Sequence, residues 1–259
     1  DGAYQPGQLL RANRMTPYKD VENGDWQFLM WDEATAQPKM PMGSIGYRWS
    51  KEQGKWNLQL KDGIDGSDIA PALTFLEGHD TTANVRFDDF GEGTALLREV
   101  PAKRLKMADG GSVLVTTVYD VMMGQYGVSR GLRGDYPKDY DDEKVPYTPA
   151  WQEKYTDISR DTLLRFAREW GETARLTGGK CTVIIGAGVN HWYHNNLMYR
   201  AAINALMMCG CIGVNGGGLA HYVGQEKLAP GESWSSIAFA KDWFGPSRLQ
   251  NAPSWHYIN

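Results

Sequence analysis

The chain has 259 residues and a formal net charge of −4, with 42% hydrophobic residues. This length can bury the core of one large domain or of two small ones. The weakly acidic balance excludes a basic face for nucleic acid, and no apolar run is long enough to span a membrane. Residues 1–20 also lack the charged-then-apolar plan of a signal peptide.

Three cysteines are present, Cys181, Cys209 and Cys211, and two of them are one residue apart. This pattern does not suit a disulfide framework and is typical of a reducing compartment. The 10 Trp and 13 Tyr are many for this length, and such an aromatic surplus often lies at interfaces between domains or subunits. Together with a first residue, Asp1, that is not Met, these features predict an internal piece of a longer polypeptide.

The first part of the chain, residues 1–103, is predicted to be irregular and β-rich, packing on other parts of that polypeptide. A strand is expected over residues 26–31, and weak alternation over residues 47–60 indicates a strand pair. Residues 62–68 hold acids at a spacing that does not match an EF-hand loop. A solvated turn is therefore preferred there to a calcium site. No helix or strand is predicted between that turn and residue 103.

A β-hairpin is predicted from residue 104 onward. Its strands cover residues 104–107 and 112–118, and Asp109-Gly110 lies between them. Asp-Gly suits the left-handed backbone of the turn that joins two twisted antiparallel strands.

Two helices are predicted after the hairpin. Thr117 can cap the first helix with Asp120 as its capping-box partner, and Gly127 can end it. An acidic, Tyr- and Pro-rich surface loop follows at residues 134–147. The second helix, over residues 160–175, has apolar residues at spacings of three and four, which is typical of an amphipathic helix.

The remaining elements predict the fold class. A strand over residues 112–118 and the helix over residues 160–175 are followed by a short apolar strand over residues 181–185 and a helix over residues 197–209. This order favours a parallel sheet with crossover helices. The predicted fold is α/β, a partial Rossmann-like parallel sheet flanked by helices over residues 104–227, after the irregular β-rich N-terminal portion. Residues 228–259 are predicted to be an extended C-terminal segment.

Apolar residues occupy nearly every face of the helix over residues 197–209, which predicts that this helix is buried. Asn195 or Asn196 can cap its start, and Gly210 can end it. One polar stripe at four-residue spacing interrupts the apolar surface and faces either a polar ligand or another part of a large protein: Asn196, Arg200 and Asn204.

Two glycine-rich turns flank this helix. Gly186 and Gly188 follow the strand over residues 181–185, at the carboxyl end where ligands bind in open α/β sheets. The second turn, residues 216–218, is Gly-Gly-Gly and is followed by His221. Such turns let several backbone N–H groups converge on an anion. Two of them on one sheet edge predict a large, polyphosphorylated ligand lying across that edge.

Two simpler sites were weighed against this one. An ordinary dinucleotide site is disfavoured because His191 stands where the third glycine of Gly-x-Gly-x-x-Gly belongs, and no acid follows about twenty residues later. A zinc site is disfavoured because Cys-x-Cys at a helix end does not have the spacing of a zinc knuckle. Its candidate ligands would be His191, His194, Cys209, Cys211 and His221.

The same residues carry a resemblance to a known family. Residues 186–194, Gly-Ala-Gly-Val-Asn-His-Trp-Tyr-His, and residues 208–213, Met-Cys-Gly-Cys-Ile-Gly, resemble the alpha subunit of respiratory, membrane-bound nitrate reductases. So does the sequence Gly-Gly-Gly-Leu-Ala-His-Tyr-Val-Gly-Gln-Glu-Lys-Leu at residues 216–228. Further matches occur at residues 41–49, 54–58, 114–120 and 147–152, and the resemblance extends over most of the chain, residues 25–250. The motifs are specific to this enzyme within the molybdopterin oxidoreductase superfamily.

The resemblance implies the function of the complete subunit. It implies a molybdenum centre carried by two molybdopterin guanine dinucleotides, which reduces nitrate to nitrite. It also implies a [4Fe-4S] cluster elsewhere in the subunit, an iron–sulfur beta subunit and a membrane haem b gamma subunit that bring electrons from quinol. The resemblance places the subunit at the cytoplasmic face of the bacterial membrane, attached through its partners.

The resemblance also implies which residues of this segment contact the cofactor. Residues 104–227 would be an α/β segment that helps to hold one pterin dinucleotide. His191 or His194 would hydrogen-bond the pterin ring, and the glycine turns would meet phosphate. The expected cofactor-binding residues are Gly186, Gly188, Asn190, His191, Trp192, His194, Gly216, Gly217, Gly218 and His221.

Other parts of the family pattern are missing from this chain. The His and Cys set of the iron–sulfur cluster is absent, and the family's aspartate ligand to molybdenum lies upstream of this region. The segment is therefore expected to hold no catalytic residue and to be inactive alone. Two alternatives stay open: a related molybdopterin oxidoreductase acting on another oxyanion, such as chlorate or selenate, and a standalone nucleotide-binding module without redox chemistry.

Overall fold

The computed structural model describes residues 3–4, 7–41, 60–91, 93 and 95–221. The predicted strand pair at residues 47–60 lies almost wholly outside the described residues, and the C-terminal segment at residues 228–259 lies entirely outside them. The chain divides into two compact units, Asp1–Leu163 and Leu164–Asn259.

The fold contains both strands and helices, as the α/β prediction requires. Among the described residues, no helix is long and apolar enough to cross a membrane. The strands are β1 Ala3–Tyr4, β2 Met30–Asp32, β3 Gln37–Lys39, β4 Thr81–Phe87, β5 Leu96–Lys106, β6 Ser112–Val115, β7 Thr182–Ile185 and β8 Gly218–His221. The helices are α1 Val118–Gln125, α2 Pro149–Thr156, α3 Arg160–Thr177, α4 Ala187–Asn190 and α5 Asn195–Met208, with 3₁₀ turns at Ala12–Arg14 and Thr16–Tyr18.

The first unit is built on a four-stranded sheet in the order β1-β4-β5-β6. β4 pairs antiparallel with β5, from Thr81 opposite Ala102 to Phe87 opposite Leu96. Alternate residues of β4 face the core. The buried residues of this core are Ala83, Val85, Phe87, Leu96, Val100 and Ala102. Residues 83, 85 and 87 of β4 are apolar and alternate with polar residues, as in a strand with one buried face. No element was predicted there.

The predicted hairpin is confirmed, with a longer first strand. β5 pairs antiparallel with β6, and Lys106 lies opposite Ser112. Gly110 has a φ of 87°, which is the left-handed conformation that the turn demands. The expectation that this second strand joins the strand after residue 181 in one parallel sheet is wrong, because β6 pairs with β5 while β7 pairs with β8.

The helix boundaries in the first unit follow local capping. The Thr117 hydroxyl accepts from Asp120 N at 2.9 Å and donates to the Asp120 carboxylate at 2.9 Å, so the predicted cap of α1 is confirmed. Gly127, at a φ of 76°, follows the helix end as expected. α2 was not predicted. Thr148 caps it by accepting from Trp151 N at 2.9 Å, and proline occupies its first turn.

The calcium-like stretch is a turn, but it is not simply solvated. Asp62 is only 3% exposed and accepts hydrogen bonds from the Tyr18 hydroxyl at 2.7 Å and from Ile64 N at 2.9 Å. The burial of Tyr18 and its bond to Asp62 raise the pKa of its phenol. Asp62 therefore ties this turn to the 3₁₀ segment near the start of the chain.

The second unit holds a parallel strand pair with a helical connection. β7 and β8 run in register from Thr182 opposite Gly218 to Ile185 opposite His221. α4 and α5 connect them, which makes a βαβ unit. Its small core comprises Ala174, Cys181, Leu206 and Cys211. The parallel, Rossmann-like arrangement is thus observed for two strands.

Helix α5 is more exposed than predicted, and strand β7 is exposed on one face. Leu206 is the buried residue of α5, while Leu197 is 54% and Met207 61% exposed. Ile184 of β7 is 80% exposed. Within the described residues these two elements bury one face each, so the prediction of burial on all sides is wrong for this part of the polypeptide.

Candidate functional site

The candidate site lies at the carboxyl edge of the β7–β8 pair. β7 ends at Ile185, and Gly186 continues in an extended conformation, with φ −146° and ψ −157°, into the single turn α4. A Cβ atom added at Gly188 would meet nothing within 4 Å. The backbone at Gly188 is therefore open to a ligand, as the sequence predicted.

Four consecutive side chains after α4 are exposed: His191, Trp192, Tyr193 and His194. Trp192 is 65% and Tyr193 92% exposed. The Tyr193 and His194 rings meet edge to face, with centroids 4.6 Å apart. Imidazole and indole groups at a strand edge can stack on a heteroaromatic ring and donate hydrogen bonds to it.

A polar network joins the two strand ends. Asn190 Nδ2 lies 3.3 Å from His221 Nε2, because Asn190 ends α4, directly after β7, and His221 ends β8. The Tyr199 hydroxyl of α5 donates to Asn190 Oδ1, and its ring stacks on His221 with centroids 5.7 Å apart. Tyr199 was not predicted as a site residue. It lies nine positions after Asn190, and their contact depends on how α5 packs back over the turn.

The start of α5 differs from its predicted cap. The helix begins at Asn195, and His194 is the N-cap residue without a side-chain cap hydrogen bond. Asn195 Nδ2 instead donates to the main-chain oxygen of Asn190 at 2.8 Å. This bond fixes α5 to the turn that carries the candidate site.

The triple-glycine turn lies at the opposite edge of the strand pair. Gly218 opens β8 opposite Thr182, which opens β7, whereas His221 lies opposite Ile185. A four-residue strand separates the two edges by about 10 Å. The expectation that both glycine turns share one edge is therefore wrong. In a parallel pair joined by a helix, the turn that precedes the second strand must lie at the amino edge.

Close backbone contacts explain why glycine occupies positions 179 and 217, without any ligand. A Cβ at Gly217 would lie 2.3 Å from the Gly179 carbonyl oxygen and 2.5 Å from that of Cys211. A Cβ at Gly179 would lie 2.3 Å from the Gly210 carbonyl oxygen. Gly218 adopts a φ of 98°. These positions need glycine because three segments of backbone touch here.

The five residues weighed as zinc ligands do not come together. No group of three or more His, Cys, Asp or Glu residues that could hold a metal ion occurs within the described ranges. Cys211 is fully buried in the core beside Leu206, while His191 and His194 are exposed at the carboxyl edge. Burial raises the pKa of the Cys181 thiol, which makes it a poor nucleophile.

Buried charges in the first unit act as structural ties. The Asp120 carboxylate is fully buried and accepts from Arg130 Nη1 at 2.8 Å and from Phe75 N at 2.8 Å. Arg98 is also fully buried, and burial lowers the pKa of its guanidinium. We assign neither group to a ligand site, because their described partners belong to neighbouring segments of the same unit.

The chain is similar in sequence to the alpha chains of nitrate reductases. No established family profile matches it. It is 44% identical over 270 residues to the respiratory nitrate reductase 1 alpha chain of Escherichia coli strain K12, covering 99% of this chain and 21% of that protein. It is 40% identical over 260 residues to the nitrate reductase alpha chain of Bacillus subtilis strain 168, covering 100% of this chain and 21% of that one.

A more distant relative has another name. The chain is 24% identical over 235 residues to the perchlorate reductase alpha subunit of Dechloromonas aromatica strain RCB, covering 90% of this chain and 21% of that protein. The chain thus spans about a fifth of the length of the curated relatives it matches.

Proposed function

We infer that this chain, which is homologous over nearly its whole length to nitrate reductase alpha chains, is a part of the catalytic subunit of a molybdenum-dependent nitrate reductase. Identity of 44% across 99% of the chain carries this conclusion. The much lower identity of 24% to a perchlorate reductase favours nitrate over another oxyanion as the substrate.

Within that subunit, we propose that this segment helps to bind a molybdopterin guanine dinucleotide. The first glycine turn fits such a group, because the Gly188 backbone is open and His191, Trp192 and His194 are exposed beside it. Donors at a strand's carboxyl edge suit the polar edge of a pterin. The triple-glycine turn fits less well, because it lies at the other edge and its central residue, Gly217, is packed against neighbouring backbone.

The residues of the carboxyl edge would bind and orient the cofactor. His191 or His194 would donate to the pterin ring, Trp192 would offer an aromatic face, and Asn190 with His221 would supply polar contacts where the two strands end. The bound molybdenum centre would supply the two-electron chemistry. The protein groups of this segment would position it and exclude water.

The complete enzyme requires parts that this segment does not hold. We propose two molybdopterin guanine dinucleotides and a [4Fe-4S] cluster in the complete subunit. An iron–sulfur beta subunit and a membrane haem b gamma subunit would deliver electrons from quinol. The subunit would work at the cytoplasmic face of the membrane, attached through these partners.

Elemental analysis of the complete subunit tests this function. The purified wild-type subunit should contain about one molybdenum per chain, and His191→Ala or His194→Ala should lower that content by weakening a donor to the pterin. His79→Ala is the matched control, because His79 belongs to the first unit and its ring nitrogen bonds the Leu76 carbonyl. A wild-type subunit without molybdenum contradicts the enzyme class. Full content in both edge variants contradicts only the role of this segment.

A further inference from the structure

We propose that an aromatic surface of the first unit binds an arginine side chain from the rest of the subunit polypeptide. The aromatic surface consists of Phe90, Tyr147, Trp151 and Tyr155. The guanidinium lies against Phe90 and pairs with Asp88. The source of the arginine rests on the proposed function, in which this chain is part of a longer subunit, whereas the surface itself does not.

Four rings from two segments of the chain form the aromatic surface. The centroid of the Phe90 ring lies 4.8 Å from that of Tyr147, edge to face, and 5.5 Å from that of Trp151. The Trp151 and Tyr155 centroids are 4.7 Å apart. These are the separations of interacting aromatic pairs. Phe90 is nevertheless 46%, Tyr147 36% and Tyr155 58% exposed, so the rings form a surface and not a core.

The backbone holds two of these rings in a fixed position. Phe90 has a φ of 56° and Tyr147 a φ of 73°, in the left-handed region that residues with a Cβ atom rarely adopt. Such residues persist only where the surrounding contacts compensate for the strain, and they are concentrated at functional sites. A surface that is already ordered loses little entropy when it is covered, which suits a permanent contact within one polypeptide.

Two carboxylates at one end of the aromatic surface define the charge of its partner. Asp88 Oδ1 accepts from Phe90 N at 3.1 Å, and Asp89 Oδ1 accepts from Gly91 N at 3.0 Å. Burial raises the pKa of the Tyr147 phenol, and the nearby charge of Asp88 contributes to this rise. Within the part of the chain that the structure describes, neither aspartate forms an ion pair. This end of the surface therefore favours a cation.

The other end of the aromatic surface already has a cation of its own. Lys154 Nζ lies 5.0 Å from the Tyr155 centroid and 5.8 Å from the Trp151 centroid. A second positive charge is therefore favoured at the Phe90 end, beside the two aspartates, and not at the Tyr155 end.

Arginine suits the Phe90 end better than lysine does. Its planar guanidinium can stack on a ring and pair with a carboxylate at the same time. The first unit contains one contact of this kind, because Arg11 Cζ lies 4.3 Å from the Phe28 centroid. The relatives are about five times as long as this chain, so about four-fifths of the polypeptide is available to supply the arginine.

Photo-cross-linking in the complete subunit identifies what covers the aromatic surface. The photoreactive p-benzoyl-phenylalanine replaces Tyr155, the most exposed of the four rings, and mass spectrometry identifies the captured segment. We expect an arginine-bearing segment of the same polypeptide from outside these 259 residues. Capture of a segment without arginine, of a second copy, of a partner subunit, or only of these 259 residues overturns the proposal. The molybdenum content of the same preparation tests the proposed function separately.

Nitration of Tyr155 by tetranitromethane in the complete subunit tests the ion pair. A bound segment must open before Tyr155 reacts, so the nitration rate follows the open fraction. Asp88→Asn removes the charge and keeps the Oδ1 acceptor for Phe90 N, and we expect it to speed nitration about fivefold. Asp65→Asn is the matched control that should change nothing, because Asp65 Oδ1 likewise accepts a main-chain bond, from Ser67 N at 2.8 Å.

A double-variant cycle then connects the captured arginine to Asp88. Replacing that arginine by glutamine should speed nitration of Tyr155 as much as Asp88→Asn does, and the double variant should be no faster than either single variant. An unchanged nitration rate in Asp88→Asn, or additive effects in the double variant, overturns the proposal.

Discussion

At the scale of the residue, Arg98 shows how this chain accommodates a buried charge. Its side chain has no exposed surface. Nη1 donates to the Gly124 carbonyl at 2.6 Å and to the Gln125 carbonyl at 3.1 Å, and Nε donates to the Asp135 carbonyl at 2.8 Å. Gly124 and Gln125 end α1, where the helix dipole is negative. The guanidinium thus adds a charged donor to the end of α1, where Val128 N also donates to the Met123 carbonyl at 2.9 Å.

Arg98→Met should loosen α1, because the Gly124 and Gln125 carbonyls lose a charged donor inside the protein. The expected loss of local stability is about 3 kcal/mol. Hydrogen exchange of the amides of Val118–Gln125 in the complete subunit measures it. Arg133→Met is the control, since the Arg133 side chain is 85% exposed where it pairs with Glu99. Equal exchange rates in both variants would show that the charge of Arg98 is not structural.

Asp32 predicts how the first unit responds to acid. The hydrogen bond from the Thr35 hydroxyl and that from Ala70 N lower the pKa of its carboxyl to about 2. A lowered pKa means that the carboxylate stabilises the fold fully above its unfolded pKa, about 4. That stabilisation is lost as pH falls from about 4 to about 2.

Pepsin cleavage of the complete subunit near Met30–Asp32 should therefore accelerate as pH falls through this window. Asp32→Asn should be cleaved faster than the wild type at pH 4 and should show a weaker dependence on pH between 4 and 2. If pepsin cleaved Asp32→Asn at the wild-type rate at both pH 4 and pH 2, Asp32 would not be the cause of the acid response.

At the scale of the element, alanine at two glycines of the second unit should have different effects on folding stability. Gly217→Ala puts a methyl group within 2.5 Å of two carbonyl oxygens, so it should destabilise the β7–β8 pair by about 1–3 kcal/mol. Gly188→Ala meets nothing within 4 Å and should leave folding unchanged within about 0.5 kcal/mol.

Thermal unfolding and bound molybdenum separate these outcomes in the complete subunit. Gly188→Ala should lower molybdenum content, because the methyl group fills space beside the cofactor, while the unfolding temperature of the cofactor-free subunit stays unchanged. Gly217→Ala should lower both. If Gly217→Ala lost cofactor without losing stability, the triple-glycine turn would contact the ligand after all.

The elements that were predicted correctly depend on neighbours in sequence. The Thr117–Asp120 cap and the Asp109-Gly110 turn need contacts over two or three residues, which a single sequence displays. The Thr148-Pro149 signal for α2 was equally local, and the prediction overlooked it. The edge on which Gly216–Gly218 lies depends instead on strand pairing across more than thirty residues. The contact of Tyr199 with Asn190 likewise depends on tertiary packing, so neither could be inferred from the motif.

At the scale of the whole molecule, the exposed apolar residues of the second unit agree with a segment of a larger subunit. Ile184, Trp192, Leu197 and Met207 are each more than half exposed. In relatives about five times as long, further parts of the polypeptide are available to cover them.

The 259-residue segment produced alone should therefore reduce no nitrate with a viologen donor, and it should bind a hydrophobic dye such as ANS. The complete subunit should reduce nitrate and bind less dye per unit of exposed surface. Nitrate reduction by the isolated segment would contradict its assignment as a cofactor-binding part without catalytic residues.

The parallel pairing of β7 with β8 also sets an order for folding. These strands lie next to each other only after the chain has closed a loop from Ile185 to Gly218, which costs entropy before any ladder bond forms. The backbone crossings at Gly179 and Gly217 need the same closure. A nascent chain that has emerged only as far as Gly213 therefore presents β7 as an unpaired edge with Ile184 in water. During this interval of synthesis, the unpaired strand is exposed to aggregation and is a target for chaperones.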